Sequence, residues 1–132
     1  MNCVFCKIAA KDIPSEIIYE DEHALAFLDI NPLTEGHLVV IPKVHAENIL
    51  DLPEEEVGPV FKVVRDMTSL LKKTLSPIGF TIGINHGSNL VDHLHIHIIP
   101  RYAGDGGGSI HSIVKFPPKE PLRTIKNKII GA

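Results

Sequence analysis

The segment His93-Leu94-His95-Ile96-His97-Ile98 alternates without a break, the pattern of a strand whose two faces meet different surroundings. Leu94, Ile96 and Ile98 point one way and His93, His95 and His97 the other. Three imidazoles therefore line one face, at steps of about 6.5 to 7 Å. A row of solvated imidazoles would cost sheet propensity and add nothing to a core, so chemistry is the favoured reading. Composition points the same way: eight histidines outnumber five Phe and two Tyr together, with no Trp.

Two chemistries suit this geometry. Imidazoles two apart on a strand can share a metal ion such as zinc. Alternatively the central ring attacks phosphorus while its neighbours hold the charge that develops. A reference pKa near 6.5 leaves a neutral ring with a free lone pair at pH 7. Attack would give a phosphoramidate, which water hydrolyses readily, so one hard displacement becomes two easier ones.

Short strands at 17–19, 24–28 and 37–41 precede a change of period. The turn residues Glu20, Asp21 and Glu22 join the first two strands into a hairpin, and Pro42 ends the third. Pro53, followed by Glu54, Glu55 and Glu56, is a helix start. Val60, Val64, Met67, Leu71 and Leu75 then recur at three- and four-residue spacing, which predicts one long amphipathic helix. Gly58 and Pro59 predict a kink or restart. Further strands are expected at 80–85 and 93–98. The glycine run at 104–108 reads as a flexible loop, with neither the third glycine nor the helix of a dinucleotide fingerprint. The stretch 122–130 reads as a terminal amphipathic helix that could dock.

These 132 residues suffice for a single domain with its own core. A net charge of −3 with no basic run argues against binding nucleic acid through phosphates. No stretch reads as a signal peptide or a membrane span. Cys3 and Cys6 are too close together to staple distant elements, so a reducing, cytoplasmic setting is expected. A CxxC is half a zinc site; a redox motif is the rival, disfavoured because neither a helix start nor a βαβ context follows Cys3.

The run from His93 to Arg101 resembles the signature of the histidine triad (HIT) nucleotide hydrolases and transferases. The resemblance extends in order through CVFCKI at 3–8, IPSEIIYEDEHALAFLDINP at 13–32, GHLVVIPKVH at 36–45 and Asn85-His86-Gly87. It implies an α+β domain, a five-stranded, mainly antiparallel sheet with one long helix and a short C-terminal helix. One domain over 1–132 is expected, with a family core at 3–102 and a variable tail at 103–132. The implied protein is a homodimer acting on purine nucleotides.

By this resemblance His95 is the nucleophile, the main-chain carbonyl of His93 orients it, and His97 and His37 serve the phosphate site. Asp29 would bind the ribose hydroxyls, as a carboxylate suits a vicinal diol. Phe5, Ile8, Phe27, Leu28 and Ile30 would surround the base, and Asn85 would lie near the phosphate. The resemblance to microbial members implies a structural zinc on Cys3, Cys6, His45 and His93. The segment between Gly87 and His93 is about three residues short of the family's usual length, leaving Ser88 or Asn89 to replace a phosphate contact and implying slower turnover. The implied activity is hydrolysis of nucleoside phosphoramidates or dinucleoside polyphosphates at the α-phosphorus. A nucleotide-binding adaptor with negligible turnover, or a metal-dependent enzyme with the triad as ligands, are the alternatives.

Overall fold

The computed structural model describes residues 3–87 and 93–131. Along these the elements run α1 (Val4–Ala9), β1 (Ile17–Glu20), β2 (Ala24–Leu28), β3 (Leu38–Pro42), α2 (Glu54–Leu75), β4 (Gly79–Gly83), β5 (Ile96–Arg101) and α3 (Leu122–Ile130), with short 3-10 turns at Ile49–Asp51 and Ile110–Ser112. One sheet holds all five strands in the order β1-β2-β3-β5-β4, and each pairing is antiparallel. The architecture is the α+β one expected.

The sheet is buried on both faces at its centre because β2 and β3 are apolar at every position, whereas the edge strands β1 and β4 have no fully buried residue. Ala24, Ala26, Leu38, Val40, Ile96 and Ile98 pack on one face against Val60, Val63, Val64, Met67 and Leu71 of α2. Each large aliphatic side chain buried there contributes roughly 1.5 to 3 kcal/mol. Leu25, Phe27, Val39 and Ile41 form the other face, which α1 covers with Ile8 and Phe5. Gly36 turns the chain into β3 at φ +90°, a backbone conformation that favours glycine, and a Cβ there would stand 2.5 Å from Leu75 Cδ1 and displace that side chain.

Several expectations are corrected. Helix α2 runs through Gly58 and Pro59 without a restart, because Pro59 falls in its first two turns and removes a single ladder bond. Strand β5 spans Ile96–Arg101, not 93–98: His93 and Leu94 precede the ladder, held where the Leu94 N–H donates to the Ala46 carbonyl. The third strand starts at Leu38, one residue after His37, and β4 ends at Gly83, short of Asn85.

The glycine loop is tied down. Arg101 grips Asp105 through Nε and Nη2 at 2.8 and 3.0 Å, and the Asp105 carboxylate accepts from the N–H groups of Tyr102 and Gly107. These contacts hold Asp105 far below the usual carboxylate range. Helix α3 forms over the expected residues but buries none of them.

Candidate active site and metal centre

The residues of the triad divide between two neighbouring sites. His93 is fully buried and its ring turns to the cysteines, with Nδ1 3.2 Å from Cys3 Sγ and 3.3 Å from Cys6 Sγ. Its Nε2–H donates to the Pro42 carbonyl at 3.0 Å, which leaves the Nδ1 lone pair facing the sulfurs. His95 and His97 remain side by side, ring centroids 5.1 Å apart. The expected single row of three imidazoles is thus a row of two plus one.

His95 Nδ1–H donates to the main-chain carbonyl of His93 at 2.8 Å. The neutral ring therefore carries its lone pair on Nε2, the atom a nucleophile needs. The neighbouring imidazole has the opposite arrangement. The Leu33 N–H donates to His37 Nδ1 at 3.1 Å, so neutral His37 holds its proton on Nε2. That proton meets His97 Nδ1 at 2.9 Å, which leaves His97 with Nε2–H as a donor. One ring is set to attack and the next to donate.

Burial pushes both His37 and His97 below the ordinary histidine value, with His95 and His37 adding to the effect on His97, so the neutral forms are favoured. Asp29 Oδ2 lies 3.6 Å from His37 Nε2 and 3.9 Å from His97 Nδ1, opposing that shift. Its other oxygen accepts from the Asn31 N–H at 2.8 Å, an ordinary Asx turn, so Asp29 both shapes the loop and faces the histidines. Asn85 joins His37 and His97 around a cavity of about 460 Å3 whose remaining walls are mainly apolar.

The expected base-lining residues separate. Phe5 lies against His95 with ring centroids 4.9 Å apart and against Phe27 at 5.8 Å, and Ile8 is buried beside Phe27. Leu28 points to the opposite face of the sheet, against the α2 cluster, because adjacent strand residues alternate. Ile30 is 83% exposed and joins neither cluster. Ser88 and the shortened segment lie outside the described residues.

Cys3, Cys6, His45 and His93 bring one ligand atom each to within 4.8 Å of one another. Cys6 Sγ is also 3.1 Å from His45 Nδ1. Two sulfurs and two imidazole nitrogens are a tetrahedral zinc donor set, whose edges run about 3.3 to 3.8 Å from the usual bond lengths. Burial, with Cys3 alongside, pushes the Cys6 thiol up to about 11. A cation bound there would have to displace the thiol protons, so its hold would weaken as pH falls. The His93-to-Pro42 bond supplies the outer-shell support that orients a ligating imidazole.

The sequence argument against a redox CxxC is corrected in one respect. A helix does start there: Cys3 is the N-cap of α1, and its Sγ accepts from the Cys6 N–H at 3.2 Å. What opposes the redox reading is the convergence of His45 and His93 on the pair. Sequence reasoning also missed the backbone groups that assign the tautomers, the Leu33 N–H and the Pro42 carbonyl. A main-chain contact carries no residue-type signature, so nothing in the sequence could have marked them.

Comparisons with known proteins agree with this geometry. The HIT domain family model matches residues 10–104. A crystal structure of a HIT family member from Bacillus subtilis aligns with a TM-score of 0.88 at 41% identity, over 99% of this chain and 96% of that one. Adenosine 5'-monophosphoramidase hnt1 of Schizosaccharomyces pombe is 39% identical over 104 residues, covering 76% of this chain and 75% of the relative. A Zn-bound histidine triad family protein from Mycobacterium smegmatis aligns with a TM-score of 0.74 at 36% identity, over 99% of this chain and 97% of that one. With the matched residues running from the end of α1 past β5, and so through both groups of histidines, the chain belongs to the HIT domain family.

Proposed function

We propose that this protein hydrolyses nucleotides at the α-phosphorus, with His95 as nucleophile. The observation that carries the reading is the 2.8 Å bond from His95 Nδ1–H to the His93 carbonyl, which leaves Nε2 unprotonated beside the His97 donor. Nε2 attacks phosphorus and the bond to the leaving group breaks, giving a nucleotidyl-His95. His97 Nε2–H donates a hydrogen bond to the phosphoryl oxygen on which charge develops, while the leaving group departs with a proton taken from solvent. Water then attacks the phosphorus and gives up a proton to solvent as the bond from phosphorus to His95 Nε2 breaks, which releases the nucleoside monophosphate and restores the neutral ring. The name of the fission yeast relative favours a nucleoside phosphoramidate as substrate, with dinucleoside polyphosphates as the wider class. Asp29 would hold the ribose, Phe5, Ile8 and Phe27 the base, and Asn85 the phosphate side.

A zinc ion on Cys3, Cys6, His45 and His93 would fill all four positions with protein ligands, so its contribution is structural. That arrangement weighs against a catalytic ion on the triad, because His93 faces away from His95 and His97. We also propose that the chain forms one domain, works as a homodimer and acts in the cytoplasm. Among the described residues no helix is long and apolar enough to cross a membrane.

Labelled nucleotide is expected to remain on denatured wild-type protein and to be absent from His95→Asn, with turnover falling by at least about a thousandfold. Equal labelling of the two proteins would remove His95 as nucleophile.

A further inference from the structure

Phe5 sits between the two cysteines on α1, and α1 is only six residues long. An isolated helix of that length is unstable in water, so its position depends on what it is tied to. Two ties are visible. Ile8 is buried in the cluster of Leu25, Phe27, Val39 and Ile41. Cys3 and Cys6 meet His45, from the segment after β3, and His93, from the segment before β5.

The same two ends of this arrangement touch the nucleophile. The Phe5 ring packs on His95 at 4.9 Å and meets His93 edge-on at 6.1 Å, with planes 88° apart. The His93 carbonyl accepts the His95 Nδ1–H. His93 is itself held at both ring nitrogens, by Pro42 through Nε2 and by the sulfurs through Nδ1. Whatever fixes the four ligand side chains therefore fixes both the wall beside the His95 ring and the acceptor that sets its tautomer.

We propose that a metal ion held by Cys3, Cys6, His45 and His93 positions the nucleotide site, clamping Phe5 and the His93 carbonyl against His95 so that metal and nucleotide bind cooperatively. The proposal rests on the nucleotide reading of the site. Without an ion the four side chains are joined only by contacts between thiols and imidazoles, which are weak hydrogen bonds, so α1 would be held less firmly. Phe5 would then leave the His95 ring. Loosening costs the nucleotide the ordering of this wall on binding, and linkage makes the effect reciprocal. Phe5 and His93 thus have positioning roles in addition to any contact with substrate or metal.

The test compares full-length protein stripped of metal under reducing conditions with the same protein reloaded with zinc. Adenosine 5'-monophosphate affinity is measured by calorimetry, and the tautomer of His95 by nitrogen-15 NMR of its ring. Reloading is expected to tighten the nucleotide by about tenfold, within the range usual for coupled sites. It is also expected to convert His95 from a mixture of tautomers to one with the proton on Nδ1. Changes on stripping should be confined to α1 and residues 93–97, while the amide signals of α2 hold. Equal affinity and an unchanged His95 tautomer in the two forms would overturn the proposal, and so would global unfolding on stripping, since the metal would then serve the fold rather than the site. If zinc-loaded protein binds no nucleotide, the functional reading fails on its own, and the His95 tautomer still decides the positioning claim. His45→Ala provides a second route, since His45 touches neither β5 nor Phe5 among the named contacts. It is expected to reproduce the stripped protein even with zinc present.

Discussion

Single hydrogen bonds decide the chemistry of the histidines. His37 is neutral because it is buried, and its Nδ1 must stay unprotonated to accept from Leu33. A histidine lowered below its unfolded value binds its proton more readily when unfolded, so its contribution to stability is complete above about pH 6.5 and is lost as pH falls through the folded value. His97 has the same sign. The melting temperature of the wild type is therefore expected to drop between pH 7 and pH 5. His37→Gln can accept from Leu33 and donate to His97 without titrating, so its drop should be shallower. Parallel curves would show that His37 contributes nothing to the acid limb.

A histidine of opposite sign joins two elements. His23, in the turn between β1 and β2, lies 2.7 Å from Glu56 in the first turn of α2, and that carboxylate raises its pKa. Here stability is complete below about pH 6.5 and is lost as pH rises through the raised folded value. Glu56→Gln is expected to lower the melting temperature at pH 5.5 and to match the wild type at pH 8.5. A difference that persists at pH 8.5 would mean that Glu56 acts by some route other than His23. The pair ties the hairpin to the helix start, while α2 itself is held by its buried stripe.

The molecule as a whole exposes apolar surface that a lone chain leaves without cover. Ile113, Val114 and Phe116 are each more than 70% exposed, and so are Leu122 and Ile129 on or beside α3. Strand β4 is a sheet edge of sequence GFTIG, with neither the charge nor the proline that usually protects an edge. Both features suit the proposed second copy. Sedimentation should give twice the chain mass, and Ile113→Ser with Phe116→Ser should shift it toward one chain. A wild-type protein that sediments as a single chain at micromolar concentration would sink the homodimer.

Periodicity carried far into this fold. Alternation located β4 and β5, apolar runs bounded by turn residues located β1, β2 and β3, and the 3.6-residue pattern located the long helix, each to within a few residues. Residue type singled out the histidines at 93, 95 and 97 and the Cys3 and Cys6 pair, while the resemblance to the HIT family supplied the rest of the expected inventory: His45 and His93 to complete a metal site, and His37 and Asp29 to join His95 and His97 at a nucleotide site. Folding alone decided how these share the work. The strict alternation at 93–98 predicts three equivalent imidazoles, yet His93 turns inward, since a buried ring must satisfy both nitrogens and finds Pro42 on one side and the sulfurs on the other. Leu28 and Phe27, adjacent in sequence, face opposite sides of the sheet. The tautomers that make His95 an attacker and His97 a donor depend on main-chain groups distant in sequence, whose identity every residue shares and whose position only the packed chain defines.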